Sequence, residues 1–390
     1  MKYKKVKLGE VCTMSSGGTP SRSKHEYYGG SILWAKISDI ENAKTGIITE
    51  TEEKITEQGL KAINNRIFET NTLLLAMYGS VGKTAITGCR LSTNQAILGI
   101  RPSKDDIISL HFLKFWLQYK KADLLNRAVG GTLQNISLGI VKNLEIPLPD
   151  LPTQRHIAEV LDKADALRQQ NRQLLALYDQ LLQSTFIELF GDPVKNPKGW
   201  EVKKLGEVCK DIVDCPHSTP NHKNVPTDYP SIRTTEIKNG TIEWSSMKYV
   251  EIDEYNLRTR KLKPSEGDIV YGREGSFGDA IIIPKNTTMC LGQRVVLLRV
   301  NEKICNNIFF WSMVRSDYVY NQAVKKTSGS TVGHVNVKDI KLFLLILPPL
   351  PLQAHFAQIV EQIEVQKAQV GRSLAESEAL FAGLLAGYFG

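Results

Sequence analysis

The chain has 390 residues, 42% of them hydrophobic and 23% charged, with a formal net charge of +8, which is typical of a globular protein of two to four domains. Its six cysteines include no CxxC pair, so the sequence indicates neither a disulfide framework nor a Cys-rich zinc site. The N-terminal stretch MKYKKVKLGEVC has no apolar signal core and no later run is of membrane-spanning length, so we expect a cytoplasmic protein with no membrane partner.

Much of the chain is a repeat. The hexapeptide KLGEVC at residues 7–12 recurs at 204–209, and IPLPDLPTQRHIA at 146–158 is matched by LILPPLPLQAHFA at 345–357. The matching order predicts one unit used twice, as lobe, helix, lobe and helix. The predicted boundaries are 1–150 and 193–350 for the lobes, and 151–192 and 351–390 for the helices.

Within each lobe, short apolar runs alternate with turn residues. In the first lobe, residues 67–77 and 96–100 are predicted strands and 110–125 a helix. In the second lobe, 268–271 and 294–300 are predicted strands and 308–324 a helix. The pattern predicts a mixed α+β fold for both lobes.

The stretch LLLAMYGSVGKTAI at 73–86 suggests a phosphate-binding loop, and hence an ATPase as one alternative. Such a loop needs a glycine five places before Gly82, where this chain has Met77. The matching stretch of the second lobe, YGREGSFGDAIIIP, carries Asp279 at the place of Lys83. We therefore predict a buried strand followed by a turn.

The two segments that follow the lobes have helical heptad spacing. In the first, the seam residues alternate by three and four: Ile157, Val160, Ala164, Leu167, Asn171, Leu174, Tyr178 and Leu181. Two seams of equal length are expected to bury each other, and the short linker GDPVKNPKGW favours an antiparallel pair. The fold predicted is two pseudo-repeated α/β lobes at opposite ends of an antiparallel two-helix coiled-coil spacer.

The positive charge lies in the lobes. Each lobe carries a net charge of +6 and each helical segment −2. Two basic lobes on a stiff spacer fit a long polyanion, and double-stranded DNA is the expected ligand. The alternative is a coiled-coil scaffold protein without specific DNA binding, which would need neither the basic lobes nor their different polar turns.

Polar side chains in the turns are the candidate DNA contacts, since Arg and Lys can bond guanine, and Asn and Gln adenine. The first lobe offers Arg22, Lys24, Lys83, Asn94, Gln95, Gln134 and Asn135. The second lobe offers Arg233, Arg273, Gln293, Arg294 and His334. If these turns contact bases, the two half-sites differ in sequence.

No catalytic or metal site is expected in this chain. Cys215, His217 and His222 are close together in sequence but lack a fourth ligand nearby. Pro348-Pro349 lacks the flanking residues of an amino-methyltransferase motif, and Glu201-Val202-Lys203 has no convincing acidic partner for a nuclease site.

Several stretches resemble the specificity subunit of type I restriction–modification systems. They are LGEVCTMSSGGTPSRSKHEYYGGSILWAKISDI, KITEQGLKA, YGSVGKTAI, GGTLQNIS, PLPDLPTQRHIAEVLDKAD and LFGDPVKNPKGWEVKKLGEVC. The resemblance implies a non-catalytic subunit with two target-recognition domains, each reading one half of a bipartite, asymmetric DNA site. It adds Lys36, Tyr78 and Phe277 to the candidate contacts.

The resemblance also implies partners. They are two methyltransferase subunits, which use S-adenosylmethionine to methylate adenine N6, and two motor-nuclease subunits, which use ATP and Mg. No cofactor is expected in this chain itself. The second lobe departs most from the first at residues 213–232, where DCPHSTP replaces the GGTP turn of residues 17–20.

Overall fold

The computed structural model describes residues 3–43, 46–104, 107–127, 135–223, 225–275, 277–327 and 333–390. The chain divides into two compact units, Met1–Gln173 with Gly371–Gly390, and Leu174–Val370. Each unit therefore contains one lobe and parts of both long helices. None of the helices in the described ranges is both long and apolar enough to cross a membrane.

The first lobe is a mixed α+β domain, as predicted. Its described strands are Lys5–Lys7, Cys12–Ser16, Tyr28–Ala35, Ile47–Ile48, Glu53–Ile55, Leu73–Ala76, Thr84–Thr87, Ser92–Thr93, Ile97–Pro102 and Glu145–Pro147. Its described helices are Leu8–Val11, the 3-10 turn His25–Tyr27, Ile37–Asn42, Glu57–Ala62, Leu110–Tyr119, Lys121–Arg127 and Leu138–Lys142.

Two sheets form the framework of the first lobe. The larger runs, in spatial order, through Cys12–Ser16, Ile97–Pro102, Leu73–Ala76, Thr84–Thr87 and Ile47–Ile48. The smaller places Tyr28–Ala35 between Glu53–Ile55 and Ser92–Thr93, and its last pair is parallel. That parallel pair brings the loops after both strands to the same edge of the sheet.

The second lobe repeats this framework. Its described strands are Glu201–Lys204, Cys209–Asp214, Pro230–Ile232, Ile237–Lys238, Thr241–Ile242, Lys248–Tyr249, Ile269–Gly272, Ala280–Ile282, Cys290–Leu291, Val295–Val300 and Leu344–Leu347. Its described helices are Leu205–Val208, Ile252–Arg258, Asn307–Val314, Asp317–Lys326 and Val337–Ile340, with 3-10 turns at Thr234–Glu236 and Trp244–Ser246. Pro230–Ile232 pairs in parallel with Cys290–Leu291, as the equivalent strands do in the first lobe.

The single helix predicted in each lobe is a pair of helices. In the second lobe, Asn307–Val314 ends before Ser316, whose hydroxyl caps the next helix by accepting a hydrogen bond from Val319 N. In the first lobe, Leu110–Tyr119 is followed directly by Lys121–Arg127. The breaks fall at Lys120 and at Arg315–Ser316, where the sequence has neither proline nor glycine to indicate the end of a helix.

Two helices of 40 residues follow the lobes: spacer helix 1, Leu151–Phe190, and spacer helix 2, Leu350–Phe389. In the first unit, Arg168 stacks on Phe381 at 3.8 Å, and Asn171 Nδ2 donates to Ser373 Oγ at 3.3 Å. The helices are therefore antiparallel there, because the step from Arg168 forward to Asn171 in spacer helix 1 corresponds to a step from Phe381 back to Ser373 in spacer helix 2.

The second unit shows the same antiparallel pairing. Lys367 Nζ lies 2.8 Å from Asp179 Oδ1, and the rings of Phe186 and Phe356 are 5.6 Å apart. Spacer helix 2 continues through Gly371 without a break.

Only one of the two predicted seam positions per heptad is buried along spacer helix 1. Ile157, Ala164 and Asn171 are buried, whereas Leu167 and Leu174 are 43% and 38% exposed. A residue three places along a helix points about 60° away from the first, so a seam centred on one position leaves the other at its margin. The prediction that Leu167 and Leu174 belong to the buried seam was therefore wrong.

Aromatic residues at the helix ends complete the core of each unit. In the first unit, Phe389 packs edge-on against Phe112 with ring centroids 5.2 Å apart. In the second, Phe190 packs against Phe309 at 5.0 Å in the same manner. The last turn of spacer helix 2 thus packs against the first lobe, and the last turn of spacer helix 1 packs against the second lobe.

Candidate nucleic-acid interface

The GGTP turn of the first lobe lies against the loop that follows Ser92–Thr93. Gly18 N donates to Thr93 O at 2.8 Å, and the Trp34 indole donates to Gly18 O at 3.0 Å. A Cβ on Gly17 would lie 2.1 Å from Thr93 Oγ1, so the approach of the two loops requires a glycine there.

Asn94 and Gln95 stand on this second loop. Asn94 N donates to Ala35 O at 3.0 Å, and its side-chain oxygen accepts from Ala96 N at 3.1 Å. Gln95 is exposed and its side-chain oxygen is hydrogen-bonded to the Thr19 hydroxyl of the GGTP turn. The side chain of Asn94 therefore shapes the loop, and that of Gln95 joins the two loops.

Arg22 and Lys36 share a carboxylate at the same edge. Arg22 Nη1 lies 2.7 Å from Glu53 Oε2, and Lys36 Nζ lies 2.8 Å from Glu53 Oε1 and 2.8 Å from Glu52 Oε2. Hydrogen bonds from Arg22 and then Lys36 lower the pKa of the Glu53 carboxyl. The two cations are held in place by anions that a phosphate could replace.

Arginine and lysine here also pack on aromatic rings. The Arg22 guanidinium lies 4.5 Å from the ring centroid of Tyr28 and 5.1 Å from that of Trp34. Lys24 Nζ lies 3.1 Å from Tyr27 Oη. Cation–π contacts fix the guanidinium plane, and both of its terminal nitrogens donate to Glu53.

Lys83 belongs to a turn between two antiparallel strands, Leu73–Ala76 and Thr84–Thr87. Its Nζ lies 2.7 Å from Glu41 Oε1, which also accepts from Ser80 Oγ at 2.6 Å. Lys83 and then Ser80 lower the pKa of Glu41. A phosphate-binding loop leads into a helix N-terminus, whereas a strand follows Lys83, so the ATPase alternative is wrong.

Tyr78 lies at the start of the same turn. Its backbone forms an isolated antiparallel bridge with Asn135, and Ile136 N donates to Met77 O at 3.0 Å. The structure thus brings Asn135 to the Lys83 turn. The predicted contact Gln134 lies outside the described residues.

Arg233 occupies the place of Lys36 in the second lobe. Its Nε donates to Glu236 Oε2 at 3.0 Å, and the Glu236 side chain is fully buried. Glu236 also accepts from Arg233 N at 2.9 Å, as Asp39 does from Lys36 N at 2.7 Å in the first lobe. Both lobes therefore anchor this cation through an acidic cap, but in the second the cap also binds the guanidinium.

Gln293 is the twin of Gln95 and has a similar contact. Its side-chain NH2 group donates to Thr219 Oγ1 at 3.1 Å. In both lobes a glutamine at the strand edge is tied to a threonine of the preceding loop.

The structure places Arg273 inside the second lobe. Its side chain is 7% exposed, and its Nε lies 3.0 Å from Asp214 Oδ1. Its Nη1 lies 3.2 Å from His334 Nε2. Because arginine can only donate, a hydrogen bond between the two requires His334 Nε2 to be the acceptor.

Glu274 joins His334 to Arg294. His334 Nδ1 lies 3.4 Å from Glu274 Oε2, and Arg294 Nε lies 3.3 Å from Glu274 Oε1. The backbone of Glu274 bridges that of His334, as Tyr78 bridges Asn135 in the first lobe. Arg294 has φ +65° and a side chain that is 57% exposed, so it is the outward-facing cation of this group.

Phe277 stacks on Tyr320 with ring centroids 5.4 Å apart and an interplanar angle of 11°. A Cβ on Gly333 would lie 2.3 Å from the Phe277 ring, so that loop also approaches closely. In the twin position to Lys83, Asp279 Oδ1 lies 2.8 Å from Arg315 Nε. The charges of this contact are therefore opposite in the two lobes.

Sequence reasoning missed the residues that hold the loops. Arg66 Nη1 donates to Gly17 O at 2.7 Å. Arg258, whose side chain is fully buried, donates to Leu291 O and Gly292 O at 3.1 Å each. The carboxylates Glu41, Glu53 and Asp214 were missed as well, because their partners are distant in sequence and the charge pattern gives no sign of the pairing.

The arrangement is suited to binding a polyanion and not to covalent chemistry. Exposed ion pairs such as those of Lys83 and Arg22 contribute about 0–1 kcal/mol each, so exchange of a carboxylate for a phosphate costs little. Within the described residues, no group of three or more His, Cys, Asp or Glu side chains could hold a metal ion.

Comparison with known proteins agrees with this geometry. The family model described as the type I restriction modification DNA specificity domain matches residues 1–176 and again 197–370. The MjaIX specificity subunit of Methanocaldococcus jannaschii is 30% identical, over 92% of this chain and 86% of that protein. The EcoKI specificity subunit of Escherichia coli K12 is 26% identical, over 72% and 64%.

Solved structures agree in fold. The S subunit from M. genitalium superposes with a TM-score of 0.64 at 15% identity, covering 100% of this chain and 96% of that one. A chain from a study of complex assembly in the type I R-M system gives 0.52 at 19% identity, covering 98% and 96%. This chain is a sequence-recognition component, not a catalytic one, and it belongs to the family of type I restriction–modification DNA specificity subunits.

Proposed function

We propose that each lobe reads one half of a bipartite, asymmetric site in double-stranded DNA through its polar turns. In the first lobe these are the GGTP turn, the loop after Ser92–Thr93 and the Lys83 turn. Their twins in the second lobe read the other half.

One observation carries this proposal: the framework of the loops is repeated while their side chains differ. The twin positions are Lys36 and Arg233, Tyr78 and Glu274, Lys83 and Asp279, and Asn135 and His334. Equal frameworks with unequal polar groups are what two half-sites of different sequence require, because base identity is read by the donors and acceptors of side chains.

The exposed cations are the proposed contacts with phosphate or guanine. Arg22, Lys83 and Arg294 have side chains that are 56%, 42% and 57% exposed. Arg273 acts differently in this proposal. From its buried place beside Asp214 it holds the strand edge on which Arg294 stands, since Arg273 N donates to Arg294 O at 3.0 Å.

The partners proposed are two methyltransferase subunits, which supply S-adenosylmethionine and methylate adenine N6, and two motor-nuclease subunits, which use ATP and Mg. The acidic spacer helices are the proposed binding surface for the methyltransferase subunits. In the second unit, Leu174, Leu177 and Leu181 of spacer helix 1 are 38%, 58% and 47% exposed. An apolar line of this kind on a helix supports packing by a partner helix.

Sequencing-based mapping of N6-methyladenine tests the proposal. The chain is expressed with its methyltransferase subunit in a host that lacks other adenine methylation. We expect one bipartite motif with a fixed gap, and an Arg294→Ala variant should alter recognition in one half only. An assembled complex with an active methyltransferase that yields no motif would favour the scaffold alternative.

A further inference from the structure

Each spacer helix is pinned to its lobe by a buried glutamine in its first turn. Gln154 and Gln353 are both 0% exposed, and they are twins in the repeat. A fully buried uncharged amide is retained only when its donors and acceptor are bonded, so the bonds of these two residues indicate what they hold.

In the first unit, Gln154 makes three hydrogen bonds to two segments of the lobe. Its side-chain oxygen accepts from Ser109 N at 2.9 Å. Its NH2 group donates to Ile107 O at 3.1 Å and to Pro149 O at 2.9 Å. The amide thus connects the start of the spacer helix with the loop that begins the core helix Leu110–Tyr119.

Gln353 makes the same three bonds in the second unit. Its oxygen accepts from Asn306 N at 2.8 Å, and its NH2 group donates to Ile304 O at 3.4 Å and Pro348 O at 2.6 Å. Asn306 is the N-cap of the core helix Asn307–Val314. The same set of contacts therefore occurs in both units, although the lobes differ at their DNA-facing loops.

The core helix that each glutamine holds is rigidly embedded. Phe112, Phe115 and Trp116 of Leu110–Tyr119 are each 0–1% exposed. The bonds of Gln154 connect this core helix to the first turn of spacer helix 1, which is the junction between the lobe and the spacer helix. A buried amide with three bonds at that joint restricts the angle between lobe and helix.

We propose that Gln154 and Gln353 are positioning residues that set the gap between the two half-sites, an inference that rests on the proposed function. A lobe that tilts about the start of its spacer helix moves its loops along the duplex. One base pair corresponds to about 3.4 Å, so a displacement of that size shifts recognition by one step. The glutamines touch no DNA in this role, and the half-site sequences do not depend on them.

The test uses Gln154→Met and Gln353→Met, which keep side-chain length and remove all three bonds. Gln183→Met and Gln358→Met are the matched controls, since both glutamines are exposed on the same two helices and Gln183 points at least about 120° away from the exposed leucines of spacer helix 1. The complete complex with the methyltransferase subunits is assayed on duplexes that have the natural gap or a gap one base pair shorter or longer. The measured quantity is the ratio of the methylation rates on the natural and altered gaps.

We expect each of the two buried-position variants to lower this ratio by about tenfold, equivalent to about 1.4 kcal/mol, with the rate on the natural gap much less affected. The control variants should keep the wild-type ratio. A wild-type ratio in an assembled Met variant, or an equal loss of rate on all gaps, would overturn the inference.

A second pair of variants guards against loss of folding. Gln154→Leu and Gln353→Leu also remove all three bonds, with a shorter apolar side chain that brings no charge into the buried site. If a Met variant does not assemble, the ratio of methylation rates is measured on the Leu variant, and the same two outcomes support or overturn the inference. A wild-type complex that methylates no bipartite motif would count against the proposed function and not against the glutamines alone.

Discussion

Glu41 Oε1 lies 2.7 Å from Lys83 Nζ, so this turn of the first lobe holds its lysine against an anion of its own chain. The twin of Lys83 is Asp279, which binds Arg315 at 2.8 Å. The two lobes therefore share a turn in which the charges of the ion pair are exchanged.

Removing the anion should strengthen DNA binding. With Glu41→Gln we expect about two- to fivefold tighter binding at low salt, because Lys83 no longer exchanges a carboxylate for a phosphate. Lys83→Ala should weaken binding and reduce the slope of log K against log salt by about one. Fluorescence anisotropy across a salt series measures both. The control is Glu159→Gln, which frees Lys163 on spacer helix 1 and should leave affinity unchanged.

Breaking the Arg273 and Asp214 pair should destabilise the second lobe. Asp214→Ala leaves a guanidinium that is only 7% exposed without its carboxylate, at a cost of about 1–3 kcal/mol, reduced by the partial exposure of Asp214. The double variant Arg273→Met with Asp214→Leu should recover much of this loss. Urea unfolding measures the difference. Equal stability of wild type and Asp214→Ala would show that the pair is not structural.

A methyl group at Gly17 should disturb the first half-site alone. Gly17→Ala places a Cβ within about 2.4 Å of Thr93 Oγ1 and of two backbone oxygens, so the GGTP turn must move. Gly199→Ala, in the linker after spacer helix 1, is the control. Its Cβ would meet no described atom within 4 Å, and its cost is the positive φ of +67°, about 1–2 kcal/mol.

Competition with duplexes altered in one half-site distinguishes these two variants. Gly17→Ala should lose discrimination in one half and keep it in the other, whereas Gly199→Ala should keep both. Loss of discrimination in both halves would mean that the turn supports the whole fold.

Acid should weaken the Glu53 cluster. Arg22 and Lys36 lower the pKa of Glu53 in the folded state, so its contribution to stability is present above the unfolded pKa and is lost as pH falls through the folded value. We expect Glu53→Gln to be less stable than wild type at neutral pH and equal to it at an acidic pH below the lowered pKa of Glu53. Chemical denaturation at both pH values tests this. A difference that persisted in acid would show that packing, and not charge, is responsible.

The repeat and the long helices were predictable because a recurring motif indicates the repeat and heptad spacing indicates the helices. KLGEVC occurs twice, and the helical segments have neither proline nor a turn signal in their interiors. The partners of the charged side chains were not predictable. Lys83 is 42 residues from Glu41, and Arg273 is 59 from Asp214, so only the sheet brings each pair together.

The spacer contact shows the same limit. Spacing by three and four predicts a helix face, but it does not say which of two adjacent lines of that face is central. The hydrogen bonds of Asn171 with Ser373 and Ser377, at 3.3 and 3.4 Å, help to centre the contact there, so Leu167 and Leu174 fall outside. Asn171, which the sequence pattern presents as an interruption of the apolar seam, therefore lies at the centre of the contact between the two spacer helices.

The contact of Phe112 with Phe389 has a consequence for synthesis of the chain. The core of the first unit needs residues 371–390, which are translated long after residue 173. At about 5–20 residues per second the ribosome takes roughly 10–40 s to reach them. During that interval the first lobe has emerged with the surface around Phe112 and Phe115 still uncovered, so it is then a natural substrate for a chaperone.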